Sequence, residues 1–396
     1  MSRQLIARSP DLQRLQDEGY DVEVRSNHLL VKVPYVTSNR VVSYGFLASE
    51  LTMSGDRTAA PSTHVVYFIG ATVEETPCDD MGRRLDDLII QFGPIPLGSE
   101  LVASAMFSHK PDPTYGDYYE KMSTYADMLW AYAQAVSPEV RVRTFPPILA
   151  DEHESVFRYF DSATSRACIG AVTDKMRLRK VVIVGVGGTG SYILDCVAKT
   201  PVEEIHLYDG DRMLTHNAFR SPGAASVEEL SAAPFKTEFL RTKYEAMRRN
   251  IVGHPACVDA SNISELQDAD FVFLSMDAGP AKKLIIQSLQ EFGVPFVDTG
   301  MGVYQVGESI GGLIRTTASA SRNTQHLWDN DRISFDDEDD DEYGQNIQIV
   351  ELNMLNAAFA VIKWKKLFGF YTDFEDEFSS VYTTDGNHLL NLDQGS

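Results

Sequence analysis

The segment Val181-Val-Ile-Val-Gly-Val-Gly-Gly-Thr-Gly190 constrains this chain more than any other stretch of it. An apolar run that ends in closely spaced glycines is a buried strand turning directly into the start of a helix. Glycines at 185, 187 and 190 give the G-x-G-x-x-G spacing: one for the tight turn, one for close backbone approach to phosphates, one for helix packing. The helix predicted from about 191 to 199 then aims the positive end of its dipole at an anion. The next apolar strand, 205–208, closes on Asp209, about 20 residues on, where a carboxylate holds a ribose hydroxyl.

These features are shared with dinucleotide oxidoreductases, and the loop beyond Asp209 separates the alternatives. It reads Asp209-Gly-Asp211, then Asn217, then Arg220, so two carboxylates, an amide and a guanidinium fall in one short loop. Hydride transfer needs no such cluster. Adenylyl transfer does, because attack on an α-phosphate builds charge on phosphoryl oxygens that cations and a metal ion must stabilise.

In these residues the chain resembles the ThiF/MoeB and ubiquitin-activating-enzyme family, whose pattern is G-x-G-G-x-G, then D-x-D-x5-N-x2-R, a lysine, and an aspartate after a later strand. Gly185, Gly187, Gly188, Gly190, Asp209, Asp211, Asn217 and Arg220 match it position by position. Lys236 lies nearest the family's lysine, with Lys243 as competitor, and Asp277 follows the apolar run 271–275. The resemblance implies that Asp209 holds the ribose of ATP, that Asn217, Arg220 and Lys236 contact the triphosphate, and that Asp277 binds Mg²⁺. Arg166, ahead of Ile169, maps to the arginine that reaches into a partner subunit's site, which implies a homodimer. Local readings stay open beside these: Asp211 as a turn cap, Asp277 as a helix cap before Gly279-Pro280, and Lys243 on the solvated face of a basic helix over 239–250.

The resemblance covers roughly residues 165–396 and implies a Rossmann-like α/β adenylation domain with a mostly parallel sheet. Strands predicted at 181–185, 205–209, 271–275 and 294–298, separated by helix-length segments, fit that sheet. So does the amphipathic helix over 351–365. Residues 1–160 read as a separate, smaller α+β domain of unknown chemistry, resembling an uncharacterised domain that accompanies such proteins; residues 161–396 form the adenylation domain. In the first domain, strands are expected near 28–35, 41–51 and 64–69, with a helix over 118–136 whose residues 122, 125, 126, 129, 132 and 133 mark one face.

The implied reaction joins ATP to the C-terminal carboxylate of a ubiquitin-like or sulfur-carrier protein, with a conjugating-enzyme-like or sulfurtransferase protein as further partner. The alternatives are an NAD(P)-dependent oxidoreductase and a non-catalytic scaffold on the same fold. A net charge of −22 argues against a nucleic-acid surface. With no membrane-length apolar run and no apolar leader after Met1, a cytoplasmic location is expected. The seven consecutive acids from Asp336 to Glu342 are expected to be a solvated loop, or one that steers a basic partner.

Cysteines stand at 78, 168, 196 and 257, none in Cys-x-x-Cys, so the zinc knot of many family members is missing. No cysteine follows Cys257 to serve as a late thioester acceptor. Cys196 and Cys257 are expected to be small buried hydrophobes. Cys78, in a polar turn beside Asp79 and Asp80, is the remaining candidate acceptor.

Overall fold

The computed structural model describes residues 2–98, 101–150, 155–161, 169–335 and 348–394. It divides into two compact units, Met1–Pro147 and Ile148–Ser396. The segment after Pro147 thus joins the second unit, where Phe157 bridges to Arg248.

In the first unit the strands are β1 (Val22–Arg25), β2 (His28–Val36), β3 (Val42–Glu50), the ribbon β4 (Met53–Ser54) and β5 (Arg57–Thr58), β6 (Val65–Ile69), β7 (Ile89–Pro96) and β8 (Val102–Ser108). Six of them form an antiparallel sheet in the order β1-β2-β3-β6-β8-β7. Along β2 every residue except Lys32 is buried, because both sheet faces are covered. Leu29, Val31, Val33 and Tyr35 face the main core, while Leu30 packs with Ala48, Leu97 and Leu101 on the other side. The helix Tyr118–Val136, capped by Asp117 accepting from the Glu120 N–H, supplies Met122, Tyr125, Ala126 and Leu129 to the main core. Tyr132, expected on that face, is exposed, and Lys121 is buried instead, its ammonium donating to Ser49 Oγ and the Thr63 carbonyl.

The second unit contains β9 (Lys180–Val184), β10 (Glu204–Tyr208), β11 (Ile251–His254), β12 (Phe271–Leu274), β13 (Phe296–Val306), β14 (Ser309–Ser319), β15 (Glu377–Thr383) and β16 (His388–Gln394). They form one sheet in the order β11-β10-β9-β12-β13-β14-β15-β16. The run from β11 to β13 is parallel, and the remaining strands add antiparallel. The expected Rossmann-like α/β sheet is therefore present. Sequence periodicity did not reveal the β13–β14 hairpin or the final pair, whose Gly-rich and mixed-polarity stretches carry no sustained alternation.

Side chains alternate between two cores, as a buried parallel strand requires. Val181 and Ile183 of β9, with Phe271 and Phe273 of β12, face the helices Gly188–Val197 and Val350–Leu367. Val182, Val184, Val272 and Leu274 face the helix Pro280–Phe292. Fully buried Trp364 meets Phe271 and Phe273 with ring centroids 6.1 and 5.6 Å apart. Trp364→Ala is expected to lower the unfolding free energy by about 3–5 kcal/mol, read as an earlier urea transition; an unmoved transition would contradict this packing.

Candidate active site

The chain leaves β9 for β10 on one side of the sheet and returns to β12 on the other. Ligands bind in the crevice at such a switch point, beyond the carboxyl ends of the strands. Three segments meet there without side chains between them. Gly185 has φ +81°, and an added Cβ would lie 2.1 Å from the Ser275 carbonyl oxygen. A Cβ on Gly190 would lie 1.9 Å from the Gly185 carbonyl oxygen, so the helix Gly188–Val197 starts hard against the turn. Gly187 has nothing within 4 Å of that position and opens onto the cavity.

The cavity has a volume of about 670 Å³, within the usual range for small-molecule sites. Asp209 closes β10 and clamps the loop: its Oδ2 accepts from the Val186 N–H at 2.9 Å and its Oδ1 from the Asp211 N–H at 2.9 Å. Lys236 opens the helix Lys236–Tyr244, with its ammonium 2.7 Å from Asp211 Oδ2 and 3.5 Å from Asp209 Oδ1. Arg220 lines the same cavity, and its buried Nε has no hydrogen-bond partner among the described residues. Asp277 lines it too, at the end of β12. The N-cap of the following helix is Gly279, with Pro280 opening it, so Asp277 stands outside the capping position.

Asn217 does not line the cavity. It is 3% exposed, and its Oδ1 accepts from the Leu214 N–H at 3.0 Å across a one-turn helix. Lys243 pairs with Glu229 at 2.6 Å on the solvated side of its helix, which ends at Tyr244 rather than reaching residue 250. Arg166 and the acidic run 336–342 lie outside the described residues.

Several cavity residues escaped the sequence reading. Fully buried Asp298 of β13 sits 2.8 Å from the Lys282 ammonium and 2.7 Å from the Arg315 guanidinium, and both cations line the cavity. Asn353 and Asn356, one turn apart in the helix Val350–Leu367, line it as well. Two amides on the buried face of an otherwise apolar helix were the signal available for them. Tyr208 forms part of the wall, its ring 4.1 Å from that of His254 and its hydroxyl donating to Glu265. Burial raises the Tyr208 pKa, helped by Glu265, and burial lowers that of His254.

The cysteine expectations are reversed in two places. Cys78 is buried, where β-bridges to Val36 and Arg84 hold its segment. Burial pushes its thiol pKa up, and Asp79 adds to the effect. Cys257 is exposed and lines the cavity opposite Gly210. Cys196 is half-buried.

The fold and this wall define a crevice site of the doubly wound α/β class. Residues 160–317, within the second unit, match the ThiF family. Residues 10–162 match a family described as a domain of unknown function (DUF6791). No curated protein matches the chain. Among solved structures the chain is similar to E. coli MccB, at 16% identity over 57% of this chain and 64% of that one, with a TM-score of 0.43. It is also similar to E. coli MccB with ATP, at 18% identity over 59% and 72% of the two chains and TM-score 0.42. For PaaA the values are 14% identity, 56% and 75%, and 0.43. The chain thus spans less than two thirds of the first MccB chain.

Cys257 is expected to react with a thiol reagent in the native protein well before Cys78, with ATP slowing its labelling. Peptide mapping by mass spectrometry checks both, and equal rates for the two cysteines would contradict their placement.

Proposed function

We propose that the second unit is an ATP-dependent adenylyltransferase that activates the C-terminal carboxylate of a peptide or small protein, a ubiquitin-like or sulfur-carrier protein being the substrate class its motifs favour. The observation that carries this reading is the convergence of the glycine loop, Arg220, Lys236 and Asp277 on one cavity. A dinucleotide oxidoreductase would leave the unpartnered Arg220 Nε without a task. An unpartnered buried guanidinium nitrogen beside open glycine backbone fits a polyanion.

In the reaction a carboxylate oxygen attacks the α-phosphorus of ATP. A new P–O bond forms, the α–β anhydride breaks, and pyrophosphate leaves. The glycine-loop N–H groups and the helix dipole orient the phosphates. Lys236, held by Asp211 and Asp209, and Arg220 place positive charge where it develops on phosphoryl oxygens. Asp277, on the cavity wall, would hold a Mg²⁺ ion together with the substrate phosphates, and the ion would supply further positive charge there.

The buried Cys78 makes a poor acceptor, and the proposed recipient of the adenylate is a nucleophile on another chain, of conjugating-enzyme-like or sulfurtransferase type. A homodimer with Arg166 reaching across, and a cytoplasmic location, complete the proposal. Among the described residues no helix is long and apolar enough to cross a membrane.

ATP–pyrophosphate exchange, run with a panel of peptides and carrier proteins ending in a free carboxylate, is the test. Exchange is expected with at least one of them, and Asp277→Ala or Arg220→Ala should reduce it by about 10²–10³-fold. Tight NAD binding with no exchange would overturn the assignment.

A further inference from the structure

The helix Val350–Leu367 brings to the glycine loop a group that no phosphate-loop pattern contains. Asn353 is 1% exposed and lines the cavity. Its Oδ1 accepts from Thr189 Oγ1 at 2.8 Å, which fixes the carboxamide plane against the start of the helix Gly188–Val197. Its Nδ2 is buried and has no hydrogen-bond partner among the described residues. An ideal Cβ on Gly188 would lie 2.3 Å from that nitrogen, so Gly188 must be bare for the amide to occupy its place.

Asn356, one turn along, shows what a structural amide looks like here. Its Nδ2 donates to the Gly300 carbonyl at 2.9 Å and its Oδ1 accepts from Thr316 Oγ1, which leaves neither end open. A buried amide hydrogen without an acceptor is costly, and such an exception needs a reason, of which a bound partner is one. The Gly187 and Gly188 carbonyls already accept from Ser191, whereas a bound phosphoryl oxygen would arrive beside Gly187 and Gly188.

We propose that Asn353 is a phosphate-binding residue whose Nδ2 donates to a phosphoryl oxygen held at the glycine loop, and that Gly188 is glycine to admit it. The assignment rests on the adenylating reading and adds a neutral donor, supplied by the C-terminal helix, to the cations already placed. A neutral donor holds a non-bridging oxygen without the ion pairing that would slow release of the adenylate. Because Asn353 belongs to the segment after the acidic run, phosphate binding also ties that segment to the loop.

The test compares the affinities of the full-length protein and its variants for ATP and for adenosine by titration calorimetry. Asn353→Ala is expected to weaken ATP about tenfold or more, the scale of a lost hydrogen bond to a charged group, with adenosine unchanged within about twofold. Asn353→Asp preserves the shape and the Thr189 contact, so it serves where the alanine variant folds poorly, and it should weaken ATP at least as much. Equal weakening of ATP and adenosine, or no change in either, would overturn the proposal while leaving adenylation standing. Absence of ATP binding by the unaltered protein would remove the adenylating reading itself.

Discussion

The second unit depends on backbone approaching backbone at one corner. The Gly190 backbone sits where its own side chain would strike the Gly185 carbonyl, and Gly185 sits likewise against Ser275. Only because these residues are bare do the end of β9, the start of the helix Gly188–Val197 and the end of β12 meet. That meeting exposes the Gly187 backbone to the cavity and fixes where Asp209 and Asp277 begin their loops. A methyl group at 185 or 190 would push these segments apart before any ligand were considered. The same corner then receives Asn353, so the loop is shaped from both ends of the unit.

Charge is distributed with the same economy. A chain of net charge −22 gathers Arg220, Lys236, Lys282 and Arg315 around one cavity. Burying cations is unfavourable unless each is paired and hydrogen-bonded. Asp209 and Asp211 hold Lys236, and Asp298 holds both Lys282 and Arg315. One carboxylate against two cations at Asp298 leaves that part of the wall with a positive excess, suited to anionic reactants. Inside a low-dielectric wall such fixed charge acts more strongly than on a hydrated surface.

The parts of this arrangement that sequence made legible are those carried by short local spacing. The glycine loop, Asp209, Asp211 and Arg220 fall within one stretch of chain at short fixed offsets. Lys236 was distinguishable from Lys243 by position, and the ammonium held at 2.7 Å by Asp211 gives the structural reason. Residues that reach the cavity through long-range topology were invisible. Lys282, Asp298 and Arg315 come from a helix and two paired strands, and nothing in their local sequence fixes that pairing. Asn217 matched a motif yet spends its amide oxygen on Leu214, a capping role that amides take readily near helix starts. For Cys78 local polarity does not amount to exposure, because the acidic turn around it is tied down by bridges; Cys257, just after β11, opens onto the cavity, which no local pattern shows. In the first unit the long helix and three central strands were readable from periodicity, while the role of Lys121 was not, because its partners lie on other strands.

An ATP cradle formed by the glycine loop and completed by the C-terminal helix would bury backbone amides of both on binding. In hydrogen–deuterium exchange of the full-length protein followed by mass spectrometry, ATP is expected to slow exchange in two separated stretches, 185–191 and 348–356, and NAD at the same concentration in neither. Protection of both stretches by NAD, with none from ATP, would rule the cradle out.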